Sequence, residues 1–231
     1  MAIVDPTGLY LMALSTTLLM ASRSTPRIRA GDGASSIVID GSLDEAEWTA
    51  AEPADAFLQA DPIEGAAASA PTVVRVLASP AMIVVGILCD DPEPAHIVSF
   101  NVRRDAPLNS EDHVRVVLGP FLDGRSGYVF AINPSGARYD ALINPGGETE
   151  NADWDGIWAA ATEQTPTGWT AEIWIPVHTL SFNPALRGWH FNVQRRIQRK
   201  LEVDRWAFPA RQYQVTQTSR AGLVPDCRSS I

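Results

Sequence analysis

Between Asn109 and Ile143 the chain alternates between apolar and polar positions with a period of two, and it does so three times. In Asp112–Leu118, the residues Asp112, Val114, Val116 and Leu118 point one way, and His113, Arg115 and Val117 the other. Pro120–Gly127 is a turn cluster with Asp123-Gly124 at its centre. Tyr128–Asn133 alternates again, and Pro134-Ser135-Gly136 turns the chain. Tyr139, Ala141 and Ile143 then oppose Arg138, Asp140 and Leu142. Such a pattern predicts a half-buried antiparallel sheet. Its polar face is read as carrying His113, Arg115, Asn133, Arg138 and Asp140, and is the first candidate for binding a polar ligand. The plainer reading is a solvated outer face.

The same pattern extends along the chain. Ser36–Asp40 reads as a short strand, followed by a capping box with Ser42 as N-cap and Glu45 three residues on. A helical turn through Trp48 should then bury Leu43 and Trp48. Thr72–Ala78 and Met82–Cys89 predict a hairpin about Ser79-Pro80-Ala81. Ile157–Gln164 and Gly168–Ile175 predict another, with Trp169, Ala171, Ile173 and Ile175 on one face. Val177–Leu180 suits one helical turn, Trp189–Gln198 a strand, and Asp204–Phe208 a last short strand holding Trp206. About ten strands with almost no helix predict an all-β fold, a two-sheet antiparallel β-sandwich.

Composition narrows the function. The 231 residues carry 27 acidic and 18 basic side chains, a net charge of −9. Nucleic acid is excluded as a partner, because no basic patch is long enough; the densest run, Gln194–Lys200, alternates on a strand and is balanced by Glu202 and Asp204. Two cysteines make no disulfide framework, and Cys89 suits a packed apolar strand. Leu9–Ala21 is too short to span a bilayer and has the look of a signal-peptide apolar core, although its flank holds Asp5 and no Lys or Arg. The expected organisation is a signal-like or disordered segment over 1–30, one β-sandwich over 31–212, and a tail over 213–231.

Catalytic signatures are missing: there is no G-x-S-x-G, P-loop, G-x-G-x-x-G or H-E-x-x-H. His96, His113, His178 and His190 lack ligand-like spacing. Glu111 and Asp112 are adjacent on a strand and point to opposite faces, so they could not easily flank one glycosidic bond. Glu172 is the best lone acid, and pairing with Arg195 or Arg196 is its commoner role. No cofactor is indicated; a structural calcium ion is the one metal that Asp40, Asp44, Glu45, Asp90 and Asp91 could hold, though without EF-hand spacing.

Five motifs in order carry a family resemblance. Ile39–Trp48 (IDGSLDEAEW) resembles the opening of family 9 carbohydrate-binding modules and their DOMON-like relatives. Glu111–Leu118, Gly127–Gly136, Gly168–Pro176 and Trp189–Gln194 are similar to their following strands. The resemblance implies an immunoglobulin/DOMON-like sandwich that binds sugars without catalysis, as an accessory to polysaccharide breakdown. It is strongest to the subgroup that precedes an outer-membrane β-barrel region, and Ser219–Leu223 resembles the join to it, so the expected setting is the cell envelope. Two alternatives are a structural module capping such a barrel and an accessory part of a glycoside hydrolase. Sugar-gripping members carry a Trp and a Glu where this chain has Asn109 and Arg115; of their R-x-N only Asn133 is present. Arg115 in place of Glu implies an anionic ligand such as a uronic acid. The expected site is Arg115, Asn133 and Asp140 as hydrogen-bonding groups, Asn192 on the neighbouring strand, and Trp154 or Trp206 as the stacking ring, with Trp158 as a further candidate.

Overall fold

The computed structural model describes residues 25–225. Leu9–Ala21 and Cys227 lie outside the described residues. Two antiparallel sheets face each other. In chain order the strands are β1 (Leu58–Asp61), β2 (Thr72–Ala78), β3 (Met82–Asp90), β4 (His113–Gly119), β5 (Gly127–Ile132), β6 (Arg138–Ile143), β7 (Glu150–Asn151), β8 (Ala159–Thr165), β9 (Gly168–Pro176), β10 (Gly188–Ile197), β11 (Glu202–Arg205) and β12 (Gly222–Pro225). Sheet A runs β1-β11-β10-β4-β5-β6-β7, with β12 also paired to β10; sheet B runs β2-β3-β9-β8. The expected two-sheet sandwich is therefore present, with β1, β7 and β12 added to the strands read from the pattern.

Each sheet turns one alternate set inward. Val114, Val116, Leu118, Phe130, Ile132, Phe191 and Val193 of sheet A meet Val74, Val76, Val85, Ile87, Trp169, Ala171, Ile173 and Ile175 of sheet B in one core. Period-two sequence becomes a packed layer because both inner faces exclude water at once. Cys89 is free and buried in this layer. Arg195 shares the phase of Val193 and also points inward. It donates to Pro71 O at 2.9 Å and to Asp90 O at 2.7 Å, both at one end of sheet B.

The outer face of sheet B is covered by the segment before β1. Here three expectations fail. Ser36–Asp40 forms no strand, the helix (α1, Ala46–Ala50) begins after Glu45, and no side chain caps it. The cause is Glu172 on β9. Its carboxylate accepts the N–H of Asp40 (3.0 Å), the N–H of Gly41 (2.9 Å) and Trp48 Nε1–H (3.1 Å), so it pairs with neither Arg195 nor Arg196. That anchor turns the chain sharply at Gly41, whose φ of +97° and approach to the Thr162 carbonyl carbon leave no room for a Cβ. Trp48 is buried on sheet B, as expected, and Leu43 partly so.

The outer face of sheet A is crossed by the segment after β11. Val215 packs on Val117, Val129 and Ile143, and Thr216 Oγ1 donates to Gly147 O at 2.6 Å. β12 then pairs with β10, and Ile28 N–H donates to Leu223 O. Residues 213–225, expected as a tail, are thus part of the sandwich. No helix among the described residues is long and apolar enough to cross a membrane.

Candidate ligand site on sheet A

Strand pairing builds a row across the outer face of sheet A. Arg205 lies opposite Gln194, Gln194 opposite Arg115, Arg115 opposite Ala131, and Ala131 opposite Tyr139. Two straps cross this face, one over the neighbouring row and one over the far end of this row. Val215 covers the row of Val117, and Leu108 packs on Ala131, Ala137 and Tyr139. Beside the Leu108 strap lies a cleft of about 280 Å³, lined by Pro107, Leu108, Asn109, His113, Arg115, Ala131, Tyr139 and Glu150.

The charges in this cleft are internally balanced. Arg115 pairs with Glu150 at 2.5 Å, and the Tyr139 hydroxyl donates to the other Glu150 oxygen at 2.9 Å. The Arg115 guanidinium stands 5.9 Å from the centre of the Tyr139 ring. Burial, followed by the Glu150 carboxylate, pushes the Tyr139 hydroxyl up to about 12, so it stays a donor at any physiological pH. Burial pulls His113 down to about 4, and its Nδ1 lies 2.9 Å from Glu111 O, so it is a neutral ring. Arg115 Nε has no partner among the described residues, and Asn109 is exposed at the rim.

Of the six expected site residues, the structure brings only Arg115 to this cleft. Asp140 lies opposite Phe130 on the inner face, which corrects the face assigned to it and to Arg138. It is 1 % exposed, pairs with Arg104 at 2.8 Å and accepts Gly156 N–H at 2.7 Å. Arg138 stacks 5.4 Å from the Trp158 ring and donates to Trp158 O. Asn133 shares the phase of Ala131 but is fully buried, donating to Asn101 O and Glu111 Oε2. Asn192 is buried and bonds both ways to the Ala207 backbone. Trp154 packs on Tyr128 and Phe130, Trp158 on Phe130, and Trp206 on Phe191. All three rings belong to the core side of sheet A, where a large apolar ring finds most area to bury.

Tyr139 and Glu150 were missed, although Tyr139 was findable. Pairing outward from the turn centred on Ser135 sets Ala131 opposite Tyr139 and Phe130 opposite Asp140, which reverses the face read from alternation alone. Glu150 belongs to a two-residue strand with no alternation to read.

The other candidate groups are committed elsewhere. Burial raises Glu111, but four donors from Phe100, Asn101 and Asn133 outweigh it and hold the carboxyl below its usual range. Asp112 accepts Gln198 N–H, and burial raises it. Of the calcium candidates, Asp91 is held by Arg199, Asp40 accepts Ser42 N–H and Glu45 accepts Val38 N–H. No group of three or more His, Cys, Asp or Glu that could hold a metal occurs among the described residues.

No family model matches the chain, and no curated protein does. Solved structures do. A family 9 carbohydrate-binding module from Caldicellulosiruptor kristjanssonii in complex with cellotriose is 16 % identical, with a TM-score of 0.63 over 87 % of this chain and 93 % of that one. The module from that organism in complex with glucose is 18 % identical, with a TM-score of 0.59 over 87 % and 95 %. A carbohydrate-binding protein, so described, from Bacteroides uniformis is 11 % identical, with a TM-score of 0.66 over 87 % and 99 %. At these identities the likeness is one of fold.

Proposed function

We propose that this chain is a non-catalytic carbohydrate-binding module whose ligand lies in the sheet A cleft over Arg115, Tyr139 and Glu150. The observation that carries the proposal is that cleft: a roofed gap on an open sheet face, holding a ring, donors and acceptors side by side. Those are the groups a sugar's hydroxyls and its CH face need. The shared fold with sugar-complexed modules supports it. Because Glu150 neutralises Arg115, the cleft suits a neutral oligosaccharide better than the uronate that Arg115 alone suggests. The stacking role passes from Trp154 and Trp206, whose rings pack on core aromatics, to Tyr139. A place at the cell envelope, beside polysaccharide breakdown or a barrel partner, belongs to the same proposal and rests on Leu9–Ala21 and the sequence resemblance; fractionation of the native host tests it.

The direct test is titration with cellotriose and with a polygalacturonate fragment. Tyr139→Ala should weaken binding of the neutral sugar about tenfold, equivalent to ~1.4 kcal/mol. Arg115→Ala should weaken it as well, since it frees Glu150. Failure of any neutral glycan to bind, or binding indifferent to both substitutions, would overturn the assignment.

A further inference from the structure

A second cavity lies on the opposite side of the molecule, over the outer face of sheet B. It encloses about 390 Å³, within the roughly 300–1,000 Å³ of small-molecule sites. Its floor is built by strand register. Leu88 lies opposite Thr170, and Thr170 opposite Glu163; Arg75 on β2 lies opposite Gly86. Gly86 admits Trp48 and Leu43 onto the sheet, since a Cβ there would stand 2.8 Å from the Trp48 ring. The covering segment therefore forms one wall and the β8 edge the other.

Two polar groups in this lining are left without a partner. Arg75 Nε is buried and has no hydrogen-bond partner among the described residues. Thr165 Oγ1 is buried and equally unpartnered. Glu172, on the strand row of Arg75, cannot serve it, because its carboxylate is engaged by Asp40, Gly41 and Trp48. A buried donor without an acceptor costs about 1–3 kcal/mol, which a bound acceptor would recover. Exposed Asp44 and Glu163 also line the cavity, and Leu43 and Leu88 supply apolar surface.

We infer that this cavity is a second saccharide site, back to back with the first, selective for a neutral sugar. The ligand must offer acceptors to Arg75 and Thr165, donors to Asp44 and Glu163, and a CH face to the leucines. A sugar hydroxyl is both donor and acceptor, so one polyhydroxylated ring meets all three demands. The two carboxylates repel an anion, which separates this site from a simple carboxylate trap on Arg75. The ligand class follows from the cavity's own groups and does not depend on the sheet A site.

Four proteins test this on an array of neutral and uronate oligosaccharides: wild type, a sheet A pair (Arg115→Ala with Tyr139→Ala), a sheet B pair (Arg75→Ala with Thr165→Val), and all four changes together. The sheet A pair should keep neutral glycans that the four-change protein loses by tenfold or more. Titrating those glycans should also shift the Trp48 indole N–H resonance. A fifth protein, Arg75→Gln, which keeps a polar donor on a shorter side chain, should fold as wild type and weaken binding less than the pair. The sheet B inference is overturned if the four-change protein binds every neutral glycan as the sheet A pair does, or if the only glycans that the sheet A pair keeps and the four-change protein loses are uronates. If instead the sheet B pair alone loses every glycan that the four-change protein loses, the sheet A reading falls and the sheet B one stands.

Discussion

Single buried groups decide much of this structure. Glu172 accepts three donors from a segment more than 120 residues away in sequence. Glu172→Ala leaves those donors unsatisfied beneath Trp48 and should destabilise the fold by about 2–4 kcal/mol, read by urea denaturation. Burial, reinforced by the Glu202 carboxylate and opposed by Arg195, pushes the Asp204 carboxyl up to about 7. The folded state therefore holds a proton that the unfolded chain releases near pH 3.8. Its stabilisation is full below that pH and is lost as pH rises through 7. His113 acts oppositely: its ring is pulled down from 6.5 to about 4, so its contribution is lost as pH falls through that window. The slopes oppose each other up to pH 6.5, and only that of Asp204 acts beyond. Asp204→Asn should abolish the fall in melting temperature between pH 6.5 and 8, and His113→Gln should leave it in place; an unchanged fall in Asp204→Asn would refute the assignment. Sequence showed Arg115 and the importance of its strand, but not which polar neighbours were already committed. Asn133, Asp140 and Asn192 carry the residue types of a binding face, and their partners come from segments that no local pattern connects.

At the level of elements, the hairpins β2–β3 and β8–β9 and the run β4–β5–β6 were legible because alternation and turn residues agree. β1, β7 and β12 were not, being short strands defined by their partners rather than by their own sequence. The strap after β11 was the larger omission: polar and without periodicity, it is held by Val215 and Thr216. Val215→Ala should cost about 1–3 kcal/mol. Exchange of the Gln217 and Ser219 amides, which donate to Gln214 O and Gly124 O, should quicken before that of sheet A; uniform quickening would show that the strap and sheet open as one unit.

The whole molecule is one sandwich closed by segments from both ends of the described chain. Ile28 binds Leu223, and β12 lies along β10 beside Trp189. A chain ending at residue 212 should lose cooperative unfolding by circular dichroism, because it lacks β12 and exposes the Val117–Val129 patch. The five motifs lead to the right fold, and β12 lies beyond the last of them, so its pairing with β10 is legible only from the structure.

Arg195 gives the sandwich a mechanical property. The apolar core holds the two layers together by non-directional packing, which fixes no single point between them. Arg195 is rooted in the middle of sheet A and hydrogen-bonded to the start of β2 and the end of β3, so it works as a rivet through both layers. Shear between the sheets at that end must break these three charge-assisted bonds as well as apolar contacts. The two sheets are thus tied by directional bonds at the end where β2 starts and β3 finishes.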